Sequence, residues 1–216
     1  MLITLNNIGK RYNYEWIFRN VNYQFTNENN YVIIGSNGSG KSTLLQVIAA
    51  NLIASEGSIE FKVQSSNVQS TGNDSSLIDE ENRFRYLSYA APYLDLLEEF
   101  TLTESIEFQA QFKQFRNNLS TKQIIEITQL EKAKNKQLKY YSSGMKQRVR
   151  LALAVLADTP LLLLDEPASN LDKSAINWYQ QLVNDHAANR LIIVASNQQE
   201  YEYSFCNQLI SVEDYK

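Results

Sequence analysis

The segment Gly35-Ser36-Asn37-Gly38-Ser39-Gly40-Lys41-Ser42 constrains this chain more than any other. It follows the apolar run Tyr31–Ile34 and precedes apolar residues at helical spacing: Leu44, Leu45, Val47 and Ile48. A G-x-x-x-x-G-K-[ST] run between a strand and a helix is the pattern of a phosphate-binding loop. The chain must turn tightly there, with backbone N–H groups pointing inward, and glycine permits both the turn and the close approach. The helix that follows adds the positive end of its dipole. Lys41 is expected to reach the outer phosphates, and Ser42 to ligate Mg²⁺. Thr43 completes the set of expected nucleotide-binding residues around the loop.

The rest of the chain reads as alternating strands and helices, which predicts an α/β core. Strands are expected at Met1–Leu5, Asn20–Phe25, Tyr31–Ile34, Ser58–Val63, Arg85–Ala90, Leu161–Leu164, Leu191–Ala195 and Leu209–Val212. Helices are expected at Ser42–Leu52, Thr101–Phe115, Thr121–Leu130 and Ser142–Ala157. Thr26–Asn30 reads as a turn, and the polar stretch Gln64–Asn82 as a surface loop. The fully apolar strands Leu161–Leu164 and Leu191–Ala195 imply a mainly parallel sheet covered on both faces. The all-helical stretch 101–140 reads as a lobe inserted into that core; the single domain 1–216 is divided accordingly into a core, 1–86 and 148–216, and a helical lobe, 87–147.

The 216 residues carry 20 basic and 24 acidic side chains. That balance offers no basic patch for a phosphate backbone, so nucleic acid is not an expected partner. The lone Cys206 has no internal disulfide partner, and no Cys/His cluster offers a zinc site. The first residues lack the apolar core of a secretion leader, and no run approaches the ~20 apolar residues of a membrane span. A soluble cytoplasmic protein is expected, with any membrane role exerted through a partner.

Leu161–Leu164 runs into Asp165-Glu166. Downstream of a phosphate loop, an acid at the end of an apolar strand is where nucleotide-hydrolysing proteins hold Mg²⁺. Asp165 is the expected metal carboxylate. Glu166 is the expected catalytic base for an attacking water, alongside Lys41.

Between these motifs lies Tyr141-Ser142-Ser143-Gly144-Met145-Lys146-Gln147-Arg148, and after them Pro167 and Ser169-Asn170-Leu171-Asp172. This order resembles the ATP-binding cassette (ABC) family along essentially the whole chain. The resemblance implies a P-loop, RecA-like core with an antiparallel β-lobe and a helical lobe. It implies ATP and Mg²⁺ as cofactors, slow or normal ATP hydrolysis, and a head-to-tail dimer, either homodimeric or paired with another cassette. Each ATP would lie between one subunit's loop and the other's signature, here Ser142, Ser143 and Gly144, with Asp172 in the D-loop. It also implies a transmembrane partner subunit that holds the chain at the inner face of the cell membrane. Tyr12 matches the aromatic that stacks on adenine; packing against the β-lobe is the other reading.

Several positions depart from the family pattern. Ser143 and Met145 stand for a glycine and a polar residue. Ala90 or Ala91 occupies the place of a metal-ligating glutamine. Asn197 matches the γ-phosphate histidine; it can donate a hydrogen bond but cannot take up a proton or a positive charge. The one histidine, His186, reads as a surface residue. Pro92–Phe100 is apolar and aromatic beside acids, and reads equally as a docking surface or as lobe core. The short length resembles compact exporters, including the cytochrome-maturation type. Alternative uses are a soluble role such as iron–sulfur assembly, a weakly hydrolysing regulator, or a P-loop kinase, against which the signature helix speaks.

Overall fold

Leu161, Leu162, Leu163 and Leu164 are all fully buried. A strand with no exposed face must be covered on both sides, and that requirement sets the layers. The computed structural model describes residues 1–64 and 75–216. A hairpin of β1 (Leu2–Tyr12) and β2 (Glu15–Thr26) leads into β3 (Asn30–Ile34) and α1 (Lys41–Ile48). β4 (Glu56–Gln64) and β5 (Ser75–Leu77) follow, then β6 (Leu87–Ala90). α2 (Leu102–Ala110), α3 (Thr121–Thr128) and α4 (Ser143–Leu156) come next. β7 (Leu161–Asp165), α5 (Lys173–His186), β8 (Leu191–Ser196) and β9 (Gln208–Ser211) complete the order.

The parallel sheet runs β6-β7-β8-β3-β9, and the antiparallel sheet β2-β1-β4-β5. Alternation along the parallel strands divides two cores. Ile33, Leu161, Leu163 and Ile193 pack with α1 and the antiparallel sheet. Val32, Leu162, Leu164, Ile192 and Val194 pack with α2, α3, α4 and α5. Because β3, β6, β7 and β8 are parallel, the phosphate loop, Ala90, Asp165 and Ser196 all emerge at one edge. That is the edge where ligands bind in open α/β sheets.

The helix starts have a common chemistry. Thr101 with Glu104, and Ser120 with Gln123, form reciprocal capping boxes at α2 and α3. Ser142 and Asp172 cap α4 and α5 through their side chains.

The structure extends or trims several expected elements. β1 and β2 reach beyond the expected Met1–Leu5 and Asn20–Phe25. Asn7 and Asn20 have φ of 49° and 56°, so the alternation breaks in the middle of each strand. Asn22 bridges the break: its Oδ1 accepts from Asn7 N at 2.9 Å, and its Nδ2 donates to Asn7 Oδ1 at 2.8 Å. α1 stops at Ile48 rather than Leu52, with Ala50 in a left-handed conformation at φ 59°. α2 stops at Ala110 rather than Phe115, and buried Phe115 instead bridges Ala157. α3 stops at Thr128, where Gln129 turns left-handed.

The expected loop 64–82 needs correction. Residues 65–74 lie outside the described residues. The remainder is ordered by burial: β5 pairs with β4, Ile78 is buried, and a 3₁₀ turn spans Glu80–Arg85. Arg83 anchors it, donating to Ile59 O at 2.8 Å with its guanidinium 4.7 Å from the Phe61 ring centroid. The expected strand from Arg85 accordingly starts at Leu87.

Arg190, 3% exposed, joins the two halves of the second core. Its guanidinium donates to Val155 O at 2.9 Å at the end of α4. It also reaches Ser88 Oγ at 2.7 Å on β6 and Thr159 Oγ1 at 2.6 Å before β7. The cation thus satisfies helix-terminal carbonyls that have no intrahelical partner. Arg190→Met should lower unfolding stability by about 2–4 kcal/mol, because several buried acceptors lose their donor. An unchanged midpoint in urea denaturation would show that these bonds contribute nothing net.

Candidate functional site

The phosphate loop is organised around its own lysine. Lys41 is 4% exposed, and its Nζ lies 3.0 Å from both Gly35 O and Ser36 O. Among the described residues it pairs with no carboxylate. Ser39 Oγ is buried with no hydrogen-bond partner among the described residues. Gly40 opens α1 at φ 107°, and a Cβ there would stand 2.5 Å from Ile17 Cγ2, so conformation and space both require glycine. Ser36 N and Oγ both donate to Glu213 Oε1, at 3.0 and 2.8 Å. Those two bonds hold the Glu213 carboxyl below the usual carboxylate range.

Asp165, fully buried at the end of β7, faces the loop. Its Oδ1 accepts from Ser42 Oγ at 3.0 Å. Its Oδ2 accepts from Tyr93 Oη at 2.7 Å and Tyr89 Oη at 3.4 Å. The two phenols also bond to each other, and Gln46 Nε2 donates to Tyr93 Oη at 3.1 Å. Burial raises the Asp165 carboxyl, while the hydroxyls pull it down. Burial, with the nearby carboxylate, pushes Tyr93 up to about 12 and Tyr89 further, so both are neutral donors. Asp165 forms no ion pair among the described residues.

Glu166 turns the chain out of β7. Its φ is 41°, unusual for a side chain with a Cβ, and its N–H bonds to Ala195 O at 2.9 Å. This places Glu166 on a cleft of about 260 Å³ shared with Asn37, Gly38, Gly40, Lys41, Ser42 and Thr43. Asn197 stands beside it, with Nδ2 3.4 Å from Asn37 Oδ1. Tyr12 does not line this cleft; it lies half exposed at the end of β1 with Lys10 Nζ 5.2 Å from its ring centroid. His186 ends α5, partly buried and outside the cleft.

The turn after Glu166 is pinned on both sides. Gln147 Nε2 on α4 donates to Pro167 O at 3.0 Å. Glu202, 3% exposed, accepts from Ala168 N at 3.0 Å and binds Ser196 Oγ through its other oxygen. Burial raises its carboxyl.

Ser142, Ser143, Gly144 and Asp172 line a different cleft, of about 480 Å³, with Gln129 and Arg148. Ser142 Oγ accepts from Met145 N at 3.2 Å, as expected for an N-cap, and Asp172 Oδ1 accepts from Ala175 N at 2.8 Å. Asn170 O lies 3.0 Å from where a Gly144 Cβ would stand, so the helix start and this turn meet closely. The loop and the signature therefore do not share a cleft within one chain.

Sequence reasoning missed Tyr89, Tyr93, Gln46, Glu202 and Glu213. Tyr93 had one signal, a tyrosine two residues past the alanines at the expected glutamine position. Pro92–Phe100 resolves as mixed: Leu96 packs on the core, while Tyr93 and Leu97 are each 48% exposed.

A buried cation, Lys41, lines this cleft, and a buried carboxylate, Asp165, lies behind it on Ser42; neither has an ionic partner among the described residues. Ser42 Oγ and the Asp165 carboxylate are hard oxygen donors, which fit a divalent cation such as Mg²⁺.

The chain is 29% identical to a cytochrome c biogenesis ATP-binding export protein of Rhizobium etli, over 92% of this chain and 89% of that protein. It is 26% identical to an ABC transporter ATP-binding protein of Bacillus subtilis over 84% of this chain, spanning 56% of that protein's length. A bacterial ABC transporter cassette solved as a dimer superposes with a TM-score of 0.74 at 25% identity, over 97% of this chain and 93% of the other. The family model for ABC transporters matches residues 18–169, which include the glycine-rich loop, α4 and the acidic end of β7, and the chain belongs to that family.

Proposed function

We propose that this chain binds and hydrolyses ATP to power a transporter whose membrane-spanning part is a separate subunit. The observation that carries this is a pair of buried charges without ionic partners among the described residues, Lys41 lining the cleft and Asp165 bonded to Ser42, which lines it too. A magnesium nucleotide supplies the missing partner of each: phosphate for the ammonium, a divalent cation for the carboxylate. Family membership supports the same reading. Lys41 and the loop from Gly35 to Thr43 hold the phosphates. Ser42 and Asp165 hold Mg²⁺, which neutralises developing charge when bound. Glu166 orients and deprotonates the attacking water. Asn197 donates to the terminal phosphate, and Tyr12 stacks on the base.

The second cleft supports a head-to-tail dimer. Ser142, Ser143 and Gly144 stand at the start of α4, where first-turn N–H groups have no intrahelical acceptor and suit a phosphate brought by another cassette. We further propose the division into core, 1–86 and 148–216, and helical lobe, 87–147. No helix among the described residues is long and apolar enough to cross a membrane, so attachment would come through the partner.

Lys41→Ala should weaken ATP binding about 100-fold, since a charge-assisted contact to phosphate is lost. Calorimetry giving wild-type affinity would remove the loop from the reading. With Mg-ATP, Glu166→Gln should run as a dimer in size exclusion and show almost no turnover; a monomer at every concentration would count against the sandwich. Asn197→His should raise hydrolysis or leave it unchanged, because the imidazole adds charge near the phosphate. A clear fall in turnover would show that the site is built around asparagine.

A further inference from the structure

Nothing at Ala90 or Ala91 can bind a metal: both are buried and carry only a methyl group. The second oxygen of Asp165 nevertheless has a partner. Tyr93 Oη donates to Asp165 Oδ2 at 2.7 Å, while Ser42 Oγ takes Oδ1 at 3.0 Å. The carboxylate is therefore held from two sides, by the start of α1 and by the segment that follows β6.

The Tyr93 hydroxyl is itself aimed. Gln46, one turn beyond Ser42 on α1, donates Nε2 to it at 3.1 Å. Tyr89 bonds to it from β6. The Tyr93 ring is 48% exposed, so polar bonds rather than packing fix its hydroxyl. A surface tyrosine with its oxygen held by three side chains at a buried carboxylate is not there for core volume. A phenol gives and accepts hydrogen bonds without adding charge, as a side-chain amide does.

We propose that Tyr93 is a metal-positioning residue, which orients Asp165 and offers a neutral oxygen beside the divalent cation that Ser42 and Asp165 would hold. Gln46 and Tyr89 aim its hydroxyl. The proposal rests on the ATP reading above. It assigns to Tyr93 the role that Ala90 and Ala91 leave empty.

Manganese serves as the probe, because free and bound Mn²⁺ differ in electron paramagnetic resonance. In the full chain, Tyr93→Phe removes one oxygen from a half-exposed ring. ATP binding in EDTA, measured by calorimetry, should match wild type. Mn²⁺ affinity of the protein–ATP complex should fall about tenfold, the size expected for one hydrogen bond to a charged group. Tyr89→Phe should have a smaller effect, given its 3.4 Å contact. Gln46→Leu leaves Tyr93 in place but removes its donor, and should weaken Mn²⁺ in the same direction. It also keeps the test decisive if Tyr93→Phe fails to fold. Unchanged Mn²⁺ affinity in the folded variants, with ATP still bound, overturns the proposal alone. Wild type that binds no ATP overturns the ATP reading and this proposal with it.

Discussion

A carboxylate at the end of a fully buried strand sets the demand that the surrounding elements answer. Leaving such a group without partners costs several kcal/mol, and Asp165 has no exposed surface. Three elements converge to meet that cost. α1 brings Ser42, β6 brings Tyr89, and the segment beyond β6 brings Tyr93. None is a cation, so the charge is solvated by hydroxyls and not neutralised. Lys41 carries the mirror image of the problem and meets it with backbone carbonyls of its own loop. Hydrogen bonds of this kind are exchangeable for stronger ionic contacts, which keeps both groups ready for a charged ligand.

The parallel sheet explains why these groups meet. Strands of one direction deliver their C-terminal ends to one edge, whatever the sequence of the loops. Buried leucines make the sheet, and the helices supply the cover. Arg190 then ties α4 to β6 and β7 with bonds between groups that are all buried. The layer with α4 is in this way fixed to the strand bearing Asp165.

Much of this was legible in the chain. The loop, the acidic strand end and the N-cap at Ser142 stand in patterns whose periodicity or spacing is local. The parallel core was readable from Leu161–Leu164 and Leu191–Ala195, since nothing but double coverage suits such runs. What escaped depends on tertiary contact. Tyr93 stood in a stretch that read equally as docking surface or lobe core, and only the fold turns its hydroxyl to Asp165. Glu202 sat among polar residues, with nothing to announce its burial. Ile78 was hidden inside a polar stretch with Arg83 just beyond its end, and Asn7 and Asn20 masked strands by interrupting their alternation. Capping boxes at Thr101 and Ser120 were present as local patterns but marked helices already expected.

The turn from Glu166 to Asp172 touches both clefts, Glu166 at one and Asn170 and Asp172 at the other. Between them, Pro167 and Ala168 are gripped by Gln147 and Glu202. A short segment clamped in its middle has no slack in which a displacement can be lost. Asn170, toward the far end of that turn, lies against Gly144. The two openings, though separate in space, thus share one short, pinned length of backbone as a common wall.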